Sequence, residues 1–225
     1  MHMRRVPSFV LIGIILPVFW IIGALICGCY CREEPRDSAT PIFDPPTTIA
    51  SATRAEDINP VADFSFTERG GQTIRLVDLR GKVWVASFLF TRCCTGCPRI
   101  SADLLELQKN LPEGVAIVSF SVDPEYDTPP VLKAYADTLG ADPKRWLFLT
   151  GKQSEIYHLI KDSFHLGVEQ NRGEVRKPGN EVTHSNRLIV VDGQGHIRGW
   201  DFDGTNPEDL PRLQKRIEEL LREKS

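Results

Sequence analysis

Apolar and polar positions divide the chain into three stretches of different rhythm. From Val6 to Cys31 the sequence "VPSFVLIGIILPVFWIIGALICGCYC" contains no Asp, Glu, Lys or Arg. A bilayer core needs ~20 apolar residues in a helix, so residues 1–31 are expected to form a membrane anchor. Residues 32–60 carry five prolines and no apolar period, the pattern of an extended Pro-rich linker. From residue 61 to 225 short apolar runs alternate with helical periodicities, as in a folded α/β domain.

Within that last stretch, "FSFTERGGQTIRLVDL" places a Gly-Gly turn between two strand-like runs and predicts a hairpin. Residues 83–90, "VWVASFLF", and 114–123, "GVAIVSFSVD", are nearly continuous apolar runs, as strands buried on both faces require. Between them, Ile100, Leu104, Leu107 and Leu111 recur at helical spacing. "DTPPVLKAYADTLG" opens with a capping residue and proline and closes on Gly140, a second helix. "RWLFLTG" predicts a strand and "KQSEIYHLIKDSF" a helix, followed by a hairpin in "SNRLIVVDGQGHIRGWDF". Leu210, Leu213, Ile217 and Leu220 form the stripe of a closing helix behind Asn206-Pro207. The expected fold is a thioredoxin-like α/β sandwich with an N-terminal β-hairpin extension, preceded by one transmembrane helix.

Charge orients this picture. Arg4 and Arg5 precede the apolar run and the flank after it is mixed in sign, so the N-terminus is expected in the cytoplasm and the domain outside the membrane. An A-x-A-like cleavage site is missing, and "ICGC" ending at Cys29 is weakly lipobox-like, so an uncleaved anchor is expected, with lipidation at Cys29 as the alternative. The start is not an Arg- and Ser-rich transit peptide, which favours a bacterial inner membrane. A net charge of −3 gives no electrostatic reason to expect nucleic acid.

The six cysteines cluster as Cys27, Cys29, Cys31 and Cys93, Cys94, Cys97, unlike a disulfide framework spread through a domain. "TRCCTGCPRI" offers both Cys94-x-x-Cys97 and Cys93-x-x-x-Cys97. The loop lies between a buried strand and a helix start, where unpaired N–H groups and the helix dipole favour thiolate. Either pair therefore suits redox exchange, and two soft sulfurs also suit Cu(I) if a third ligand comes from elsewhere. His158, His165 and His196 read as surface or packing residues. His184 stands at the entrance to a late strand, the one histidine expected near the cysteines. A metal role for it and a structural bond to a backbone carbonyl are both open on chemistry alone.

The stretch "FLFTRCCTGCPRIS" resembles the F-x-F-T-x-C-x-x-x-C-P signature of the Sco (SenC) family. "FSVDPEYDTPPVLKAYADTLG" is similar to that family's S-V-D-P-x-x-D-T-P-x-x-L stretch, and "VTHSNRLIVVDGQGHIRGW" to its histidine segment. The resemblance covers roughly residues 60–223. It implies a copper chaperone binding Cu(I) or Cu(II) through Cys93, Cys97 and His184. It further implies a partner in subunit II of cytochrome c oxidase, whose CuA site would be loaded or kept reduced, and a copper donor chaperone upstream. Two positions depart from the pattern: Thr183 stands where many members have Asp, and Cys94 where Pro is common. The rival reading is a metal-free thiol–disulfide oxidoreductase using Cys93 and Cys97 as its redox pair, or Cys94 with Cys97. A peroxide-reducing enzyme fits poorly, since "FTRCCTGC" does not present a lone peroxidatic cysteine. Asp127 or Thr128 is expected to cap the helix beginning near Pro129.

Overall fold

The computed structural model describes residues 60–223, so the expected anchor, and all but the last residue of the expected linker, lie outside the described residues. Among the described residues no helix is long and apolar enough to cross a membrane. The elements run β1 (Ser65–Glu68), β2 (Thr73–Arg75), β3 (Val83–Leu89), α1 (Gly96–Asn110), β4 (Val115–Ser121), α2 (Pro129–Leu139) and β5 (Trp146–Thr150). There follow α3 (Gln153–Asp162), β6 (Val168–Gln170), β7 (Val182–His184), β8 (Arg187–Val191), β9 (Ile197–Asp203) and α4 (Asp209–Glu223).

The main sheet has the order β2-β1-β5-β4-β3-β8-β9. Its centre is the parallel pair β3 and β4, in register from Val83 opposite Val115 to Leu89 opposite Ser121. Every residue of both strands is buried, which is why their sequences show no alternation. β5 continues the parallel set beside β4, and β8 and β9 add antiparallel on the other side. Two serines interrupt the apolar centre but satisfy each other: Ser87 and Ser119 hydroxyls are 2.6 Å apart, and the Trp146 indole N–H donates to Ser119 at 2.8 Å. Phe88, Phe120 and Phe164 close one another off with ring centroids 5.2 to 5.9 Å apart, a packed aromatic layer.

Helix α1 buries Ile100, Leu104 and Leu107, the stripe expected from the sequence. α2 starts on Pro129, whose missing N–H is no loss at that position. It ends at Gly140 with φ +77, where the backbone N–H reaches the carbonyls of Ala136 and Asp137. α4 buries Leu213, Ile217 and Leu220. The three late elements β8, β9 and α4, following β3-α1-β4, give the connectivity of the expected thioredoxin-like sandwich, with β1 and β2 as the added hairpin.

One feature was not expected. Residues 168–184 hold a separate two-stranded ribbon, β6 paired antiparallel with β7, so that Val168 faces His184. Both strands are three residues long and lack an apolar run, leaving no period to read. His184 consequently ends this ribbon instead of opening β8.

Leu104 is fully buried on α1, whereas Val77 is 56% exposed. Urea unfolding of Leu104→Ala is expected to show a loss of about 3 kcal/mol, and Val77→Ala a change within about 0.5 kcal/mol.

Candidate metal centre

β3 stays buried through Phe90 and then releases a short loop, residues 91–95, before α1 begins at Gly96. The end of β4 lies alongside, with the Val122 N–H donating to the Leu89 carbonyl at 2.8 Å. Ligands of open α/β sheets collect at such carboxyl ends of parallel strands.

The loop is fixed by one carboxylate. Asp127 is fully buried and accepts the Thr91 backbone N–H at 3.2 Å, the Thr91 hydroxyl at 2.5 Å and the Ser121 hydroxyl at 2.6 Å. It therefore does not cap α2 as expected, and Thr128, at the N-cap position, makes no side-chain cap either. The demand of a buried carboxylate for donors outweighs the gain from a cap. Burial pushes the Asp127 carboxyl up to about 6 despite the donors from Ser121 and Thr91.

Cys93 is half-buried and Cys97 is buried on the first turn of α1. The proton sits unevenly between them. Hydrogen bonding from Cys97 first, with help from the backbone N–H groups of Cys97 and Thr95, lowers the Cys93 pKa. Cys97 is raised, first by that same hydrogen bond and then by burial. The open start of α1 thus stabilises one thiolate beside one thiol. No disulfide joins Cys93, Cys94 and Cys97.

His184 comes in from β7. Its Nε2 lies 3.6 Å from the Cys97 sulfur, and its Nδ1 is 3.0 Å from the Ser185 carbonyl. A carbonyl only accepts, so Nδ1 carries the proton in the neutral ring and Nε2 offers its lone pair toward the cysteines. Phe90 meets the imidazole edge-to-face at 5.8 Å between centroids. The carbonyl contact expected as one alternative for His184 is present on Nδ1, and it leaves Nε2 directed at the cysteines. Cys93, Cys97 and His184 line one cavity of about 300 Å³ together with Phe90, Thr95 and Asn186.

The other candidates go elsewhere. Cys94 turns away from this cavity, its sulfur 3.6 Å from the Arg92 carbonyl and its N–H donating to the Gly179 carbonyl at 3.4 Å. Thr183 donates to the Asn171 side chain at 2.9 Å, tying β7 to the residue after β6. His158 pairs with Asp162 on the exposed face of α3, His165 is exposed, and His196 is 44% exposed beside Asp192. Sequence reading missed Arg92, which donates to Asp123, pairs with Glu181 at 3.4 Å and lies 4.1 Å over the Tyr126 ring. A lone arginine in a loop carries no periodic signal, and only its neighbour relation to Cys93 marks it.

The SCO1/SenC family matches residues 52–221, and the chain belongs to that family. The SCO1 protein homolog of Bacillus subtilis (strain 168) is 38% identical over 148 residues, 64% of this chain and 74% of that protein. Among solved structures, a SCO1/SenC family lipoprotein from Bacillus anthracis str. Ames has a TM-score of 0.67 at 31% identity, covering 76% of this chain and 99% of that one. BsSco, described through its disulfide switch as a member of the Sco family of cytochrome c oxidase assembly proteins, has a TM-score of 0.61 at 34% identity, covering 72% and 92%. The fold extends at 20% identity to Bradyrhizobium japonicum ScoI with copper bound, with a TM-score of 0.58 over 72% and 99% of the chains.

Asp127 holds its proton up to about 6 in the folded chain, against an ordinary value of 3.8. The unfolded chain therefore ionises first as pH rises, and this group's stabilising contribution is present below about 4 and lost by about 6. Each pH unit in that window is worth about 1.4 kcal/mol. Denaturant unfolding of Asp127→Asn is expected to show a flatter profile between pH 4 and 6 than the parent chain.

Proposed function

We propose that this chain holds one copper ion between Cys93, Cys97 and His184 and serves cytochrome c oxidase assembly. Its task would be to deliver copper to the CuA site of subunit II or to keep that subunit's cysteines reduced. The observation that carries this reading is the convergence of two sulfurs and an imidazole nitrogen whose tautomer is already set for a ligand. Two thiolates suit Cu(I), and the added imidazole accommodates Cu(II) as well. Binding requires Cys97 to give up the proton it shares with Cys93, so loading releases protons. The half-buried Cys93 leaves the centre approachable, as ligand exchange with a donor chaperone or an acceptor protein requires.

Relatives support the same reading: BsSco is a member of the Sco family of cytochrome c oxidase assembly proteins, and ScoI of Bradyrhizobium japonicum holds copper. The charge-free run from Val6 to Cys31 behind Arg4 and Arg5 supports a bacterial inner membrane address, with the domain on the extracytoplasmic side. The Bacillus anthracis relative is a lipoprotein, which keeps Cys29 as the alternative point of attachment.

A second reading is favoured by the uneven proton between the cysteines. The Cys93 thiolate attacks a partner disulfide, forming a mixed disulfide and expelling one partner thiolate. Cys97 then loses its proton and attacks the Cys93 sulfur, releasing the second partner thiolate. Two electrons pass to the partner and the Cys93–Cys97 disulfide remains. Copper binding and this exchange draw on the same sulfurs, so one excludes the other at any instant.

Reduced full-length chain is expected to take up one copper per molecule, measured by metal analysis and by the sulfur-to-copper absorption of the Cu(II) form. Cys93→Ser and Cys97→Ser should abolish that absorption, and His184→Ala should weaken Cu(II) binding by roughly 100-fold. An unchanged Cu(II) affinity in His184→Ala would remove the histidine from the centre. For the exchange reaction, reduction of an oxidised CuA-domain peptide should stop in Cys93→Ser and persist in Cys94→Ser. Loss in Cys94→Ser alone would assign the chemistry to the C-x-x-C pair.

A further inference from the structure

We propose that Arg92 and Glu181 form a latch that positions His184 against the cysteine pair, closing on a seat made by Gly179 and Cys94. The proposal rests on the copper reading above for one of its two readouts only. Its starting point is that the His184 ribbon needs outside support. Among the described residues β6 and β7 pair with each other and with no strand of the main sheet, and a two-stranded ribbon is marginal by itself. Val168 and Val182 rest one face of the ribbon on the core, and side-chain ties from Asn171 to Asn180 and Thr183 hold it together internally, but neither spans from the residues before His184 to the cysteine loop.

Two contacts cross from the ribbon's approach to the cysteine loop. Glu181, three positions before His184, is buried, and one of its oxygens pairs with Arg92 at 3.4 Å while the other accepts the Gly179 N–H at 3.1 Å. The Gly179 carbonyl in turn accepts the Cys94 N–H. Arg92, Glu181, Gly179 and Cys94 thus close a ring through the backbone between residues 92 and 94. Arg92 is anchored on its far side by Asp123 and the Tyr126 ring, so the latch is fastened to the end of β4.

The seat has a steric requirement. Gly179 has φ +84, and a Cβ there would lie 2.6 Å from the Cys94 sulfur. Only glycine lets the turn before β7 come this close to the loop. This gives Cys94 a role: turned away from the cavity, its side chain is the surface on which Gly179 rests. Without Arg92, Glu181 would keep a buried carboxylate with no cation, and the approach to β7 would have to move to rehydrate it.

The test uses the full-length chain as Arg92→Gln, Glu181→Gln and Arg92→Lys. In the metal-free protein, amide hydrogen exchange at 182–184 is expected to rise about tenfold or more in both Gln variants, with β3 and β4 keeping parental protection. Arg92→Lys, which retains the cation, should recover part of that protection. In the copper arm, Cu(II) affinity by chelator competition should fall about 10- to 100-fold in the Gln variants. Cu(I) affinity, which two thiolates can sustain, should fall less. Parental exchange at 182–184 in Arg92→Gln overturns the latch, as does a rise spread equally over β3 and β4. If the parent chain takes up no copper, the functional reading fails while exchange still decides the latch. Should Arg92→Gln not fold, Gly179→Ala carries the same expectation, and unchanged exchange there removes the seat.

Discussion

Asp127 has no contact with water, and the donors that satisfy it come from Thr91, just past β3, and from Ser121, the last residue of β4. The parallel pairing of the two strands ends at Leu89 and Ser121, yet this carboxylate carries their relation onward into the loop. A buried carboxylate is costly unless fully hydrogen-bonded. That cost ties the loop down: any displacement of Thr91 takes two donors with it. The cysteine loop is therefore as well placed as the strand ends, though it belongs to no regular element. The arginine next along the loop uses the same turn, pairing with Asp123, so both fastenings draw on residues 121–127.

On that support, chemically different jobs fall to neighbouring atoms. The two sulfurs share a proton unequally, first through the hydrogen bond between them, and then because Cys93 meets N–H groups at the start of α1 while Cys97 is buried. The imidazole divides its labour between nitrogens: one bond to a carbonyl fixes the ring, and the lone pair opposite is left for chemistry. The structural bond to a carbonyl, one of two alternatives on sequence grounds, is thus also what would orient the ring for a ligand.

What was legible in the sequence follows physical lines. β3 and β4 announced themselves because burial on both faces demands unbroken apolar runs, and α1 because its stripe of Ile100, Leu104 and Leu107 faces the sheet. Gly140 marked the end of α2 because a left-handed cap selects glycine. The ribbon of β6 and β7 was illegible because each three-residue strand buries a single valine, Val168 or Val182, too few to show a period, and hydrogen bonds among Asn171, Asn180 and Thr183 do the rest. Asp127 was misread for a related reason: its spacing before Pro129 fits a cap, and only the folded chain shows that stronger demands reach it from Thr91. His184 was placed correctly near the cysteines but on the wrong strand. Cys94 stayed open because its direction depends on a glycine far along the chain.

The Cys97 and His184 side chains meet across a sequence separation of 87 residues. Closing a loop of that size costs the unfolded chain entropy that no local motif repays, so the sulfur–imidazole pairing is a property of the folded chain. A ligand that needs both groups therefore recognises the finished fold and scarcely touches the unfolded ensemble. Its binding free energy then adds to folding stability by mass action. A C-x-x-x-C peptide alone would offer sulfurs with no such link. Occupancy of the centre thus doubles as a readout of folding completion: a chain still in transit through assembly has no site to fill.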